Sequence, residues 1–521
     1  VKVKVSGNVI TTDGVPAEFI NIQLKNTFYG GTSDGKGYFE FMAPAGQYTM
    51  IVQSIAAHRR EFPVTIEEGK ENHFADIEIR ENINQLEQVV VTGQFSPQSM
   101  RNSLYKVRTV NSEQIRQKAP TSVQSLLNTE IGIRLSNDMA LGETDFELMG
   151  MSGNNVKILL DGIPLIDRGA TKQSLSQLDV NSIERVEIVE GPMSVVYGTD
   201  ALAGVINIIT KKGDGYSEEN TWRVGARVQE ESMGKEYDFF KDKGLHNESI
   251  DLGFNHKSGL FVNGGYTRNN HGGWQGDLTG REKRWHPKDQ ALMNGMFGFQ
   301  NRNMNVWYRL DFLDEKIFGP NNGSELQPEK VSDKDFLTKR YTHQLQSDWK
   351  LDNRLDVHAA LSYQDYKRRT RTTESDLSTG EKWLSSAEAS QDITQYKAWI
   401  ARATVAWNIA PEFSVQPGVE YQWTQGEGGR IDGTPKVSDL AFFLSAEYKP
   451  WEWLSLRPGV RTFIVADYDA PIAIPSVLTK FKLTKHMDLR LSYAYGFRSP
   501  TLQELYFSFH NDNHDIDGNP D

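Results

Sequence analysis

Residues 183–212 read IERVEIVEGPMSVVYGTDALAGVINIITKK. Ile183, Val186, Ile188 and Val189 build a strand. Gly191-Pro192 ends it, because proline has no backbone N–H to give to a ladder and glycine accepts the turn. Ser194 to Tyr197 is long enough for one helical turn, which Gly198 closes. Gly204 to Thr210 is then an unbroken apolar run ahead of Lys211-Lys212, the pattern of a strand buried on both faces.

Two upstream pieces extend this unit. Val123-Gln124-Ser125-Leu126-Leu127 before Ile131-Gly132-Ile133 reads as a short helix feeding a strand. Met149-Gly150-Met151-Ser152-Gly153 precedes an apolar strand, Val156 to Leu160, closed by the turn Asp161-Gly162-Ile163-Pro164-Leu165. Residues 101–213 therefore read as one α+β domain.

From Trp222 the pattern changes to period two. Leu355, Val357, Ala359, Leu361 and Tyr363 alternate with Asp356, His358, Ala360, Ser362 and Gln364. Phe413 to Trp423 and Leu489 to Phe497 alternate in the same way, with strands of roughly the length that spans a bilayer when tilted. Short turns fall at 255–258, 301–303, 351–353, 410–412, 449–452 and 485–487. Longer polar stretches lie near 233–246, 268–290, 314–340, 367–394, 425–437 and 466–473. Short turns on one rim and long loops on the other are the habit of outer-membrane barrels. Counting this way gives about 13 strands in residues 220–521.

Composition agrees with such a barrel. Hydrophobic residues make up 38% of the 521, and no run of about 18 apolar residues occurs, so a membrane-spanning helix is excluded while an alternating barrel is not. The mean hydropathy of −0.54 carries the same message, because alternation averages to a soluble-looking value. The absence of cysteine rules out a disulfide scaffold. A net charge of −12 argues against a nucleic-acid partner. No Ser/His/Asp, Cys/His or metal-hydrolase spacing is present, which leaves an enzyme the least supported class. Val1 to Gly7 already read as a strand, so no signal peptide is expected in this numbering.

Residues 1–80 alternate in short strands separated by turns such as Asp34-Gly35-Lys36-Gly37 and Ala45-Gly46, which predicts a small β-sandwich. Residues 81–100 form a linker that contains Glu87-Gln88-Val89-Val90-Val91-Thr92-Gly93. Three successive valines outside the sandwich make an extended segment able to add to the sheet edge of another protein. A last strand of the sandwich is the plainer reading.

The stretch VSGNVITTDGVPAEFINIQL…TSDGKGYFEFMAPAGQYTMIVQSI resembles the carboxypeptidase regulatory-like sandwich found in front of Bacteroidetes outer-membrane receptors. The three pieces of residues 101–213 resemble, in order, the plug of TonB-dependent receptors. Asp161, Gly162, Gly191, Pro192, Tyr197, Gly198 and Gly204 mark the plug motifs. Phe497-Arg498-Ser499-Pro500 and Gly518-Asn519-Pro520-Asp521 resemble internal stretches of the same family. One departure is Met149, where the family usually carries Arg. The resemblance implies a mainly β protein with a sandwich, a plug and an antiparallel transmembrane barrel of about 22 strands, placed in the outer membrane of a Gram-negative bacterium, so that roughly nine strands, on the order of 200 residues, are expected beyond Asp521. It implies coupling to the TonB–ExbB–ExbD complex through Glu87, Val89, Val90, Val91 and Thr92, and uptake of a ferric siderophore or haem in the iron-complex branch, with no resident cofactor. Cobalamin, or an oligosaccharide or peptide delivered by a surface lipoprotein, is the alternative cargo. A signalling or adhesion receptor is the alternative class.

Ligand candidates are fewer. His510 and His514 lie in FHNDNHDIDGNPD, where haem receptors of the family carry a histidine, so either is a candidate axial ligand. The second ligand that this resemblance implies is a plug histidine; residues 101–213 contain no histidine, and His271 or His286 would have to substitute. Asp512, Asp515, Asp517 and Asn519 offer oxygens of the kind calcium takes, without EF-hand spacing. Lys367, Arg368, Arg369 and Arg371 form a cationic run in an expected outer loop, suited to an anionic iron complex. Trp274, Trp285 and Trp383 are candidates for stacking on a ligand. For each of these a solvated loop is the plain alternative.

Overall fold

The computed structural model describes the chain apart from residues 1, 12–15, 18–19, 55–56, 71, 80–88, 96, 101, 139–142, 168–172, 214–218, 353, 388, 429, 485–486, 512–513 and 520–521. Two compact units emerge, Val1–Val91 with Pro97–Ser103, and Thr92–Ser96 with Leu104–Asp521.

The first unit holds a three-stranded sheet, with Lys2–Thr11 between Tyr38–Pro44 and Asn72–Ile79, and a four-stranded sheet built from Asn21–Leu24, Gly30–Thr32, Gly46–Ser54 and Ala57–Ile66. Alternate residues turn inward, so Val5, Val9, Ile22, Leu24, Phe39, Met50 and Val52 share one core. The carboxylate of Asp34 accepts from the N–H of Lys36 at 2.9 Å and of Tyr38 at 3.0 Å, which explains why Asp-Gly-Lys-Gly makes the turn there. Val89–Val90 pairs antiparallel with Gln98–Ser99.

In the second unit, a five-stranded sheet runs in the order Lys106–Asn111, Ile183–Glu190, Gly204–Thr210, Val156–Leu160, Ile163–Pro164. Gly204–Thr210 is buried along its whole length and lies parallel to Val156–Leu160. A strand covered on both faces has no solvent side, and its sequence GVINIIT accordingly does not alternate. Helices Ser112–Lys118 and Val123–Leu127 begin with capping boxes, from Asn111 to Gln114 and from Ser122 to Ser125. Ser194–Tyr197 forms the expected helical turn, which passes into Gly198 at φ +79°.

Thirteen strands follow as one antiparallel meander among the described residues, from Thr221–Glu231 to Met487–Ala494. Turn spacing anticipates this number. Their burial is inverted relative to a soluble sheet. On Leu245–Asn255, Ile250 and Leu252 are exposed while Asn247 and Asn255 are buried; on Phe413–Glu427, Tyr421 is exposed while Gln416 and Glu420 are buried. An apolar outer face with a polar inner one suits lipid outside and a polar interior. Inner-face glutamines meet the carbonyls of the five-stranded domain. Gln344 Nε2 donates to Leu160 O at 3.2 Å, Gln346 Nε2 to Asp161 O at 2.9 Å and Gln290 Nε2 to Ser176 O at 2.9 Å.

The structure corrects the expected loops 314–340 and 367–394. Lys330–Lys350 and Leu355–Asp376 run for 21 and 22 residues, well into those stretches. The ladder continues past the apolar band, where water can face both sides of a strand. The period-two apolar signal fades there although the hydrogen bonds persist.

Candidate functional site

A cavity of about 180 Å³ opens at the rim that carries the long connections. The five-stranded domain supplies Lys157, Thr199, Asp200 and the loop Pro164–Asp167; the strand wall supplies Tyr396, Ile400, Gln422, Thr424, Val437 and Asp439. Tyr468 and residues 498–503 complete the lining. The wall is hydrogen-bonded to this loop. Ile166 N donates to Gln364 Oε1 at 3.0 Å, Gln364 Nε2 to Pro164 O at 2.7 Å, and Arg340 Nη1 to Ile166 O at 2.7 Å. Arg498 forks onto Glu504 with bonds of 2.8 and 2.9 Å, and Thr501 caps the helix Leu502–Tyr506 in a box with Glu504. Leu502 then packs with Tyr366, Tyr396 and Ile431. Burial raises the Tyr468 hydroxyl to about 12, so it stays protonated, and its oxygen lies 3.2 Å from Ser499 Oγ.

A second set of contacts gathers around Thr92. Its N–H and hydroxyl both donate to Glu187 Oε2, at 2.8 and 2.6 Å, and Glu187 is fully buried. Asn207 Nδ2 donates to the Thr92 hydroxyl at 2.9 Å, and Asn207 Oδ1 accepts from Gly162 N at 2.9 Å. Gly93 N donates to the Tyr197 hydroxyl at 3.1 Å, while its carbonyl accepts from Arg457. Burial pushes the Tyr197 hydroxyl above its ordinary range. Asp161, at φ +49°, accepts from Thr210 N at 3.1 Å and Thr210 Oγ1 at 2.7 Å, which pins the Asp-Gly turn to the end of Gly204–Thr210. Above this, Glu420 is clasped by Arg402 at 2.8 Å and Arg461 at 2.7 Å, all three from the wall.

Residues 5–91 match the CarboxypepD_reg-like domain, residues 99–205 the TonB-dependent Receptor Plug Domain, and residues 417–521 the TonB dependent receptor-like beta-barrel. The chain belongs to the TonB-dependent receptors. Members of this family reside in the outer membrane and are not enzymes. The vitamin B12 transporter of Vibrio vulnificus is 32% identical over 139 residues, which is 26% of this chain and 23% of that protein. The ferric enterobactin receptor of Pseudomonas aeruginosa superposes with a TM-score of 0.58 at 16% identity, covering 80% of this receptor and 65% of that chain. A siderophore receptor of Acinetobacter baumannii gives 0.58 at 14%, over 80% and 66%. At these identities the likeness to solved structures is one of fold. The receptor chain spans less than two thirds of each of these relatives.

In this receptor the plug residues named from sequence converge. Gly162, Tyr197 and Thr92 share the hydrogen-bonded group around Glu187, Gly198 lies against Arg461, and Gly204 lies against Val189. Gly191 and Pro192 carry the chain from the strand Ile183–Glu190 to the helical turn. Met149 is exposed at φ +52°; near the plug centre Arg185 pairs with Glu187, and Arg402 and Arg461 of the wall pair with Glu420. Of the residues expected to couple to TonB, Glu87 lies outside the described residues, Val90 is fully buried, and Val91 precedes the anchored Thr92.

The ligand candidates do not gather in the cavity. His510 is exposed on the hairpin Ser508–Asn511/His514–Asp517, with ring nitrogens 2.5 Å from Asp515 and 3.0 Å from Asp517. The side chain of His514, and Asp512 as a whole, lie outside what is described. His271 is buried and stacks on Trp285 with ring centres 3.5 Å apart, and its Nδ1 accepts from Gly273 N at 2.9 Å. Trp274 bridges Trp285 through the backbone. Trp383 is exposed on the short strand Lys382–Leu384. The cationic run sits on a strand, not in a loop, and alternation divides it. Arg368 is buried over the Phe336 ring, while Lys367 and Arg369 are exposed on the other face and Arg371 pairs with Asp335. Sequence reading missed Lys157, Tyr396 and Asp439. For Asp439 the signal was available, as a charge at an inward position of an alternating strand.

Proposed function

We propose that this receptor imports a scarce solute across the outer membrane of a Gram-negative bacterium, taking it at the long-connection rim and drawing energy from the TonB–ExbB–ExbD complex. The carrying observation is the bond of Thr92 to the buried Glu187, because it ties the residue after Val89–Val91 to a central plug strand. Among the described residues the pair Val89–Val90/Gln98–Ser99 is two-stranded, and a strand of TonB that adds to Val89–Val91 would extend it. Tension on that segment reaches Glu187 through Thr92 and loosens the plug from the wall.

Ferric siderophore or haem is the leading cargo, and the shared fold with siderophore receptors supports an iron complex. Likeness to a vitamin B12 transporter supports cobalamin as the second reading. Haem draws less support, since both ring nitrogens of His510 already face aspartates. Deleting residues 87–93 should abolish uptake in a strain lacking the native gene and leave ligand binding intact; uptake that survives the deletion overturns the proposal. Growth on single iron sources and on limiting cobalamin identifies the cargo.

A further inference from the structure

We infer that the outer cavity selects a solute without net negative charge, an uncharged or cationic amphipathic complex. This deepens the import reading and rests on it. Among the described residues the lining carries two cations, Lys157 and Arg498, against three carboxylates, Asp167, Asp200 and Asp439, of which Asp167 is itself held by Arg340 at 3.9 Å and by Ser174. Both cations are committed within the protein. Arg498 is forked onto Glu504, which uses the paired donors that would recognise a carboxylate or catecholate. Lys157 donates to Thr199 O at 2.9 Å.

Asp439 stands apart. It faces the cavity from the strand Lys436–Trp451 and makes no hydrogen bond or ion pair among the described residues. A half-buried carboxylate there repels an anion and accepts from a hydroxyl, amide or ammonium donor. Gln422 and Thr424 add neutral polar groups, while Leu165 and Ile400 give apolar surface on opposite sides. This is the make-up of a site that orients an amphipathic ligand through a few polar groups. The cationic run that would have drawn in an anion contributes nothing to this lining.

The test measures equilibrium binding to the full chain in outer-membrane vesicles, with three probes: a neutral ferric tris-hydroxamate, cyanocobalamin, and a trianionic ferric tris-catecholate. At least one uncharged probe should bind about tenfold or more tighter than the catecholate at low salt, and the gap should narrow as salt screens it. Asp439→Asn, and further Asp439→Lys, should raise catecholate affinity while the circular dichroism spectrum is unchanged. Catecholate binding as tight as the uncharged probes, no binding of either uncharged probe, or a catecholate affinity indifferent to Asp439→Lys would each overturn the inference. Uptake is measured in parallel with and without residues 87–93. Catecholate uptake that depends on that segment sinks the charge preference and leaves import standing. The expected preference combined with uptake indifferent to the deletion sinks import instead.

Discussion

The hydroxyl of Thr92 donates to Glu187 Oε2 at 2.6 Å, joining two residues 95 positions apart in sequence. Glu187 is fully buried, and its second oxygen pairs with Arg185 Nε at 2.9 Å. From Thr92 the bonds continue through Asn207 to Gly162, in the turn that leads to the cavity loop Pro164–Asp167. One line of polar contacts thus runs from Thr92 to the turn at Gly162, two residues before the cavity loop.

Thr92→Val keeps the shape and removes the hydroxyl. A buried carboxylate loses one of its donors, at a cost of about 1–2 kcal/mol. Amide hydrogen exchange over residues 89–95 should accelerate by roughly tenfold, and Thr92→Ser should restore the slow rate. Equal exchange in the valine variant and wild type would show that the bond does not anchor the segment.

Gly204 and Gly162 both take positive φ but differ in surroundings. A Cβ on Gly204, at φ +148°, would lie 2.1 Å from Val189 O, whereas one on Gly162, at φ +85°, meets nothing within 4 Å. Gly204→Ala should destabilise the plug by about 2–3 kcal/mol, through backbone collision added to strain. Gly162→Ala should cost only about 1–2 kcal/mol from the left-handed conformation. Exchange-detected opening of the plug strands ranks the two, and the reverse order would refute the collision.

Glu420 compensates two arginines at once. Glu420→Gln would leave Arg402 and Arg461 buried without a counter-charge, at a cost of about 3–5 kcal/mol. Thermal unfolding in detergent should fall by several degrees, and Glu420→Asp should recover part of the loss. A neutral effect would mean that water or another carboxylate balances the pair.

His510 sits between Asp515 and Asp517, and its hydrogen bond to Asp515, helped by the charge of Asp517, raises its pKa above the ordinary imidazole value. The folded hairpin therefore binds the proton more tightly than the unfolded segment. Its contribution is complete below the ordinary value of about 6.5 and is lost as pH rises through the raised one. The His510 ring signals in an NMR titration should move at higher pH than a free histidine, and the hairpin amides should broaden over the same interval. His510→Gln should abolish the pH dependence; a titration at the free value contradicts the clamp.

The plug was legible because its local rules agree with one another. Gly191-Pro192 stops a strand, Gly198 ends a helical turn, and GVINIIT needs cover on both faces; each follows from backbone chemistry within a few residues. The barrel strands were legible wherever lipid on one side and protein on the other imposed alternation. Beyond the apolar band that pressure ends, which is why Lys330–Arg340 and Lys367–Asp376 read as loops although the ladder runs through them.

Binding groups obeyed a different logic. His271 and Arg368 attracted notice by residue type, yet one is stacked on Trp285 and the other on Phe336. Asp439 drew none, and it faces the cavity.

By itself the sequence determined the order of sandwich, linker, plug and barrel, the strand number and the plug's turns, since periodicity and Gly/Pro punctuation act over short spans of chain. Only the tertiary structure decided which polar groups meet. Thr92 with Glu187, Arg457 with the Gly93 carbonyl, and Gln346 with the Asp161 carbonyl are brought together from distant segments by the packing of the wall on the plug. No local rule specifies such meetings, because they depend on the register of strands hundreds of residues apart.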